Sequence, residues 1–254
     1  FGKVLNGQIG PVVAAECTYN TGELWYKERK AGWTDFEYQL RNWLYYNWLS
    51  GDHIVEQAIH SIDMLQWAMG DVLPVQVTGS GGRQKRVDKK FGNIYDHFAV
   101  VYEYENGTKG YFSSRQQSDT APSYAVELVG LDGKCIVDCR TGEHSISGKK
   151  PWKYDDDTKF TDENAYKKSN SRSMYQQEHD ELFASIRNNK PKNDGEWMVK
   201  SNLVALAGRM AAYSGQTVTL EAALASNEIL FPENVSWDLK YDVPIAIPGI
   251  TTNI

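Results

Sequence analysis

The sequence predicts an α+β fold, with a large and mostly antiparallel open sheet that carries helices on one face. Short β-rich runs follow one another after residue 73, and Asn106-Gly107 and Asp132-Gly133 are dipeptides that favour tight hairpin turns. Helical periodicity lies before and after these runs rather than between them. The run FAVVY at 98–102 is apolar on both sides. We therefore expect helices on one face of the sheet and another surface, such as a second subunit, on the other.

Composition excludes several classes of protein. The 254 residues are 41% hydrophobic and 24% charged, which is typical of a packed chain rather than a disordered one. The formal charge of −6 comes without a basic stripe, so nucleic acid is not an expected partner. No apolar run approaches the roughly 20 residues needed to cross a membrane. The cysteines Cys17, Cys135 and Cys139 lack metal-ligand spacing, are interpreted as reduced core residues, and leave the compartment open between cytoplasm and periplasm.

The first elements are a strand and two helices. Residues 11–19, PVVAAECTY, follow a Gly-Pro pair and form a predicted strand. Thr34 is the predicted N-cap of the first helix, with Glu37 as its capping-box partner. A second helix is predicted over 51–69, because it follows Ser50 and stops at a glycine.

A polar segment, two helices and a tail follow the predicted strands. Residues 140–172 are polar and lack a sustained period, so they are predicted to form a long surface excursion. Helices are predicted over 172–188 and 194–214, separated by the breaker-rich stretch NNKPKNDG. The tail is punctuated by prolines and is predicted to be extended.

The predicted helix over 51–69 places Glu56 and His60 four residues apart and therefore on one face. Asp63 and Trp67 continue this stripe along the same face. An imidazole can take or give a proton near neutral pH, and a neighbouring carboxylate stabilises its charged form. Oxidation of a hydroxyl requires this chemistry. The alternative is a surface pair worth about 0.2–0.5 kcal/mol. A metal site is not predicted, because His53, Glu56 and His60 lack the two-histidine spacing of helical zinc sites.

The stretch SGDHIVEQAIHSID resembles the second signature of the Gfo/Idh/MocA family of NAD(P)-dependent sugar oxidoreductases. That signature runs Gly-Gly, three residues, Asp, any residue, Gly, any residue, His. His60 matches it unchanged, whereas Asp52 and Ala58 replace glycines and Glu56 replaces the aspartate. RNWLYYNWLSGD, NIYDHFAVVYEYENGTKGYFSSRQ, YQQEHDELFASIRNNKP and GEWMVKSNLVALAGRMAAYSGQ are similar to family segments in the same order. The resemblance thus covers nearly the whole chain.

The resemblance implies a domain organisation. Family members join a Rossmann domain, which carries a glycine fingerprint and a Glu-Lys-Pro motif, to a domain with a large antiparallel sheet. Neither motif is found here, and GSGGR at 79–83 lacks the fingerprint spacing. We therefore expect residues 1–254 to form a single C-terminal domain for substrate binding and for homo-oligomerisation through the sheet face. Its dinucleotide-binding domain would be absent from this chain.

The resemblance also implies a reaction and its residues. Hydride would pass between the nicotinamide of NAD or NADP and a carbon that bears a sugar or polyol hydroxyl. His60 would handle the proton, and Glu56 would orient His60 or bind substrate. This fragment alone is expected to be inactive and to hold no cofactor. Hydroxyl-rich substrates need convergent polar groups and often an aromatic platform. The candidate substrate-binding residues are Trp25, Arg41, Asn42, Trp43, His97, Arg115, Gln116, Tyr175 and His179.

Two other functions stay open at this point. One is a carbohydrate-binding or assembly module without redox activity, and the other is a nicotinamide-using glycoside lyase or hydrolase on the same scaffold. A glycine fingerprint in the upstream sequence would count against the binding module. Free reduced cofactor among the products would separate the dehydrogenase from the lyase or hydrolase.

Overall fold

The computed structural model describes residues 1–154, 174–242 and 244–251, and it confirms the α+β class. The strands are β1 (Val12–Thr21), β2 (Gln76–Gly82), β3 (His97–Glu103), β4 (Lys109–Gln116), β5 (Ser123–Gly130), β6 (Gly133–Asp138), β7 (Glu143–Gly148), β8 (Trp152–Lys153) and β9 (Val218–Thr219). The helices are α1 (Gly2–Leu5), α2 (Asp35–Arg41), α3 (Asn47–Ser50), α4 (His53–Glu56), α5 (Ile59–Ala68), α6 (Met174–Arg187), α7 (Gly195–Ser214) and α8 (Leu220–Leu224).

The nine strands form one sheet in the order β8-β7-β6-β5-β1-β4-β3-β2-β9. All neighbouring strands are antiparallel except β1 and β4, which run parallel. This pairing arises because β1 inserts between β4 and β5 and so divides the predicted meander into two halves. The predicted Asn106-Gly107 turn joins β3 to β4, with Gly107 at φ 81°. The C-terminal ends of β1 and β4 therefore lie side by side, where Thr21 pairs with Gln116.

The predicted surface excursion over 140–172 is wrong in its first part, which contains β7 and β8. The sequence shows no alternation of apolar and polar residues here, because Ile146 is the one buried residue of β7, which lies near the sheet edge. Residues 155–173 lie outside the described residues. The predicted helix over 172–188 is observed as α6, and the one over 194–214 is observed as α7. Thr34 caps α2 as predicted, its hydroxyl accepting a hydrogen bond from the Glu37 amide at 3.2 Å.

Helices α5 and α7 pack on one face of the sheet and enclose the main core. Cys17, Ile62, Phe98 and Val126 lie in this core. A second cluster is aromatic and lies around α2 and α3. The opposite face carries residues such as Tyr111, which is 47% exposed. Across the described parts of the chain, no helix is both long and apolar enough to cross a membrane.

Helix α7 approaches the sheet closely at Gly208. A Cβ there would lie 2.7 Å from the Tyr102 hydroxyl and 3.1 Å from Cδ1 of Ile54. Gly to Ala in a helix ordinarily stabilises by about 1 kcal/mol. Overpacking costs about 1–3 kcal/mol and should dominate here, so we expect Gly208→Ala to lower the free energy of unfolding by up to about 2 kcal/mol. Urea denaturation measures this change. Gly2→Ala, at a helical position with open space, is the control, and equal stability of both variants would contradict the packing argument.

Candidate active site

The turn into α4 depends on Asp52, whose backbone lies at φ 72° and ψ 163°. This conformation is almost restricted to glycine. The Asp52 carboxylate is buried and accepts hydrogen bonds from the His53 amide at 2.5 Å, the Tyr95 amide at 2.8 Å and the Tyr213 hydroxyl at 2.5 Å. Hydrogen bonds to a buried carboxylate are strong and can offset the backbone strain. Asp52 thereby fixes the start of α4 at the position where the family signature has a glycine.

His53 is buried and ties α4 to the sheet. Its Nε2 lies 2.9 Å from Ser114 Oγ, and its Nδ1 lies 3.1 Å from the Tyr95 carbonyl oxygen and 3.2 Å from Asp52 Oδ1. Serine, histidine and aspartate follow one another here as they do in hydrolytic sites. Ser114 is only 3% exposed and His53 only 1%. The network therefore connects α4 to β4 and presents no nucleophile to solvent.

The predicted continuous helix over 51–69 is wrong, because it breaks at Gln57 and Ala58. The amides of Gln57 and Ala58 both donate to the His53 carbonyl, at 3.1 and 2.8 Å, which forms a wide turn of π type. Glu56 ends α4, whereas His60 lies in the first turn of α5. Within the described residues, no hydrogen bond joins Glu56 to His60. Such wide turns are frequent at functional sites.

His60 is exposed to solvent, and its ring centroid lies 6.2 Å from that of Tyr19. Tyr19 packs in turn on Tyr124, with centroids 4.7 Å apart. Burial raises the pKa of Tyr19, and the nearby Tyr175 and Glu56 raise it further. His60, Tyr19 and Tyr124 therefore form one row of rings near the C-terminal end of β1.

Glu56 is half-buried, and its Oε2 has no hydrogen-bond partner in the described part of the chain. Burial raises the pKa of the Glu56 carboxyl. The positive charge of Arg86 opposes this rise, whereas the negative charge of Asp52 adds to it. Glu56 thus brings an acceptor oxygen to the region beside His60.

Arg86, whose positive charge acts on the pKa of Glu56, is completely buried. Its Nη1 donates to Gln116 Oε1, and Gln116 Nε2 donates to Gln57 Oε1 at 2.8 Å. The guanidinium carbon lies 5.0 Å from the centroid of the Tyr45 ring and 5.3 Å from that of Phe91. Burial lowers the pKa of Arg86. A chain of hydrogen bonds therefore runs from Arg86 through the end of β4 to the helix break.

Asp96 holds the loop that carries Arg86. Its Oδ2 accepts hydrogen bonds from three successive amides, those of Gln84 at 2.8 Å, Lys85 at 2.6 Å and Arg86 at 2.8 Å. Burial alone would raise the pKa of Asp96, but these amides and the His97 side chain hold it well below its usual range. The backbone position of Arg86 is therefore fixed by a buried carboxylate.

Gln116 and Arg115 are neighbours on β4, so their side chains point to opposite faces of the sheet. Gln116 faces the helices and contacts Arg86 and Gln57. Arg115 pairs with His97 across the strands on the other face. The Arg115 side chain donates to the Ala121 carbonyl at 2.8 Å. The structure therefore brings Gln116, but neither Arg115 nor His97, to the region around Glu56.

The residues before the signature helix stabilise the fold around α2. Asn42 is completely buried, and its side chain donates to the carbonyls of Lys27 and Tyr38 and accepts from the Lys27 amide. All its hydrogen-bonding groups are engaged. Arg41 pairs with Glu37 at 2.8 Å on the surface. The structure places neither Arg41 nor Asn42 with the residues around His60.

Trp25 and Trp43 are 46% and 39% exposed, and their ring centroids lie 6.3 Å apart. They form an aromatic surface beside Tyr45, whose hydroxyl donates to the Trp25 carbonyl at 3.0 Å. No described contact links them to His60.

Tyr175 and His179 lie one turn apart on α6, where His179 Nδ1 is 2.7 Å from the Tyr175 carbonyl oxygen. Tyr175 is 70% exposed and adds to the rise in the pKa of Tyr19 that burial causes. His179 is exposed and stands 6.4 Å from Phe183 between ring centroids.

Asp63, which continues the predicted stripe, turns away from His60. Its Oδ1 accepts hydrogen bonds from Trp197 Nε1 and Ser201 Oγ, both at 2.6 Å. Trp67 packs on Phe1, with ring centroids 5.3 Å apart. Asp63 therefore connects α5 to α7.

Sequence reasoning missed Tyr19, Gln57 and Arg86. The alternation of β1 could have indicated Tyr19, because Ala15 and Cys17 lie on the same face of the strand. Arg86 stands in RQKRVDKK, where charge without periodicity gave no sign of burial. The helix break at Gln57 has no turn residue to announce it.

The glycines of GSGGR do not form a phosphate cradle. Gly79 and Gly81 lie in β2, where a Cβ would meet the Ala212 amide nitrogen at 3.1 Å and the His97 carbonyl oxygen at 2.7 Å. They permit close packing of the sheet with its neighbours, so these glycines do not fit a dinucleotide pyrophosphate. Among residues 1–154, 174–242 and 244–251, no group of three or more acidic, His or Cys side chains is placed to hold a metal ion.

A family model described as "Oxidoreductase family, C-terminal alpha/beta domain" matches residues 2–220. No curated protein sequence matches the chain. Among solved structures, an aldose-aldose oxidoreductase from Caulobacter crescentus, complexed with glycerol, is 18% identical with a TM-score of 0.62, and the match covers 86% of this chain and 58% of that one.

Two further solved structures share the fold. An oxidoreductase from Agrobacterium radiobacter, in complex with NAD⁺, L-tartaric acid and magnesium, is 14% identical with a TM-score of 0.61 over 87% of this chain and 60% of that one. A UDP-N-acetylglucosamine 3-dehydrogenase from Acidithiobacillus ferrooxidans is 16% identical with a TM-score of 0.56 over 83% of this chain and 56% of that one. The chain thus spans less than two thirds of the length of these proteins.

Proposed function

Because the chain belongs to the Gfo/Idh/MocA oxidoreductase family, over that family's C-terminal α/β domain, we propose that the protein is an NAD(P)-dependent oxidoreductase that acts on a sugar or polyol hydroxyl. The observation that carries this proposal is the exposed His60, which stands at the signature position beside Tyr19 and the half-buried Glu56. The similar structures that are complexed with glycerol or with NAD⁺ support the substrate and cofactor classes.

The cofactor would be held mainly by a part of the protein other than the residues described here. When bound, a nicotinamide ring supplies a hydride acceptor or donor. This chain would contribute the residues that bind the hydroxyl-bearing substrate and move its proton.

His60 would act as the general base toward the substrate hydroxyl. Its exposed ring can meet a substrate, and a neutral imidazole can accept a proton near pH 7. The negative charge of Glu56 would stabilise the resulting imidazolium. This interaction would be electrostatic, since no hydrogen bond joins the two side chains in the described residues. Tyr19 limits the orientations of the His60 ring by packing against it.

A turnover assay tests the proposal in the protein that carries both this chain and a dinucleotide-binding domain. We expect a sugar or polyol from a panel to generate free reduced cofactor, which is measured by its absorbance. Substrate cleavage without net reduction would instead favour the lyase or hydrolase. Carbohydrate binding with neither reaction would favour the binding module.

We also propose that the sheet face opposite α5 and α7 joins subunits into a homo-oligomer. This face carries Ala99, Val101 and Tyr111 in adjacent register positions on β3 and β4. We expect light scattering at micromolar concentration to give a mass at least twice that of the chain, and Tyr111→Glu to lower it, because a buried unpaired charge is unfavourable. A monomeric native protein would contradict this proposal.

A further inference from the structure

We propose that Arg86 and Glu56 bind two neighbouring hydroxyls of an uncharged sugar or polyol, and that the site discriminates against acidic and phosphorylated sugars. This inference rests on the proposed function and deepens it by naming a specificity-determining residue, Arg86, that the family signature does not contain.

The first observation is that Arg86 has unused donors. Its Nη1 is engaged by Gln116, whereas its Nε and Nη2 are buried and have no hydrogen-bond partner among the described residues. A guanidinium carries its donors in a fixed planar fork. Nε and Nη2 form one side of that fork, so the side chain carries two roughly parallel N–H groups that no described residue engages. Buried donors of this kind are rare without a partner.

The second observation is an unused acceptor nearby. Glu56 Oε2 is also buried without a partner in the part of the chain that the structure describes. Arg86 and Glu56 form no ion pair there, although the charge of Arg86 opposes the rise in the Glu56 pKa. Gln116 connects Arg86 to Gln57, the residue that follows Glu56, so both groups lie at the same helix break without pairing.

Donor and acceptor chemistry then selects the ligand. A guanidinium only donates hydrogen bonds and a carboxylate only accepts them, whereas a hydroxyl does both. Two neighbouring hydroxyls can accept from Nε and Nη2 of Arg86 while one of them donates to Oε2 of Glu56. This arrangement satisfies all three unused atoms without any change of net charge.

The surrounding charges disfavour an anionic ligand. Negative charges of Asp52, Asp96 and Glu23 already act on Arg86, and Glu56 adds another on the proposed ligand side. A carboxylate or phosphate would satisfy the fork of Arg86 but would be repelled by Glu56. Electrostatics therefore favours an uncharged substrate.

The hydrogen-bond chain places this diol subsite beside the reacting group. Gln116 connects Arg86 to Gln57, which stands in the helix break between Glu56 and His60. A hydroxyl held by Glu56 would thus lie near the carbon whose hydroxyl meets His60. Binding at this subsite would hold the reacting hydroxyl in a fixed orientation toward His60.

Arg86 has no exposed surface, so binding requires the groups packed on it to shift, and we propose that the loop over 22–27 moves together with Tyr45. The Tyr45 hydroxyl donates to the carbonyls of Leu24 and Trp25, both at 3.0 Å, and the Glu23 amide donates to Ser118 Oγ at 3.1 Å. The first two contacts join the loop to Tyr45, whose ring packs on Arg86, and the third joins it to the segment that follows β4.

Calorimetric titration of the protein tests the inference with neutral probes, D-glucose, D-glucitol and myo-inositol, and with the acidic probe D-glucuronate. We expect at least one neutral probe to bind more tightly than D-glucuronate. Arg86→Met and Arg86→Lys should each lower the affinity for that probe at least about tenfold. Methionine has no donor, and lysine keeps the charge but loses the planar fork. Lys85→Met is the control, since it removes an exposed cation on the same loop, and it should change affinity by less than about twofold.

Thermal melting checks that each variant folds, and Glu56→Gln provides a second test if Arg86→Met does not fold. Glu56→Gln should weaken binding of the same probe, because an uncharged amide oxygen accepts a weaker hydrogen bond than a carboxylate does. Tighter binding of D-glucuronate, no binding of any neutral probe, or unchanged affinity in the folded variants would overturn the inference. If His60 still proves essential for turnover in that case, the proposed function stands without the diol subsite.

Discussion

Turnover should fall about a hundredfold or more when His60 is replaced by alanine in the protein that carries a dinucleotide-binding domain. The expected loss follows from the position of His60, which is exposed at the start of α5 and packs against Tyr19. Alanine removes the only imidazole at this border of the described site and leaves the buried α4 network in place. Steady-state kinetics with the best sugar or polyol substrate measures kcat and KM separately.

A loss confined to kcat would identify His60 as a group that acts in the transition state rather than one that binds the ground state. His144→Ala is a matched control, because His144 lies on β7, which β6 and β5 separate from β1. Its turnover should stay within about twofold of the native value. Unchanged turnover in His60→Ala would remove this histidine from the mechanism.

Much of the fold could be predicted because its signals are local. Turn dipeptides, β-rich runs and the Thr34 cap depend on a few adjacent residues, and the structure confirms the sheet, the cap, α6 and α7. The place of β1 between β4 and β5 could not be predicted in this way. Its pairing joins residues about a hundred positions apart, such as Thr21 and Gln116, which no local pattern records.

The helix carrying the signature shows how a buried contact can override a local pattern. Apolar periodicity continues through 51–69, yet the chain breaks at Gln57 because α4 is tied to β4 through His53 and to α7 through Asp52. The expected four-residue pairing of Glu56 and His60 depended on a straight helix. The sequence pattern located both residues, whereas tertiary contacts set how they face one another.

The alternation of side chains along a strand explains which predicted site residues come together. Arg115 and Gln116 were predicted as a pair, but adjacent strand residues must face opposite sides, and only Gln116 faces Arg86. Asn42 illustrates a different limit. Its amide is used entirely by the backbone of Lys27 and Tyr38, which sequence spacing does not reveal.

Asp52 should give the largest effects on stability, and two substitutions separate its two roles. Asp52→Ala removes the buried carboxylate and leaves the His53 amide, the Tyr95 amide and the Tyr213 hydroxyl without their acceptor. Each unpartnered buried donor costs about 1–3 kcal/mol. We therefore expect Asp52→Ala to lower the free energy of unfolding by about 3–5 kcal/mol.

Asp52→Gly loses the same hydrogen bonds but removes the strain of a side chain at φ 72° and ψ 163°. That strain is worth about 1–3 kcal/mol, so the glycine variant should be more stable than the alanine variant by this amount. It should still be less stable than the native protein, because glycine cannot accept from Tyr213. Urea denaturation of the three proteins at one pH measures both differences. Equal stability of the two variants would show that the backbone is unstrained, and a glycine variant as stable as the native protein would show that the carboxylate does not hold α4.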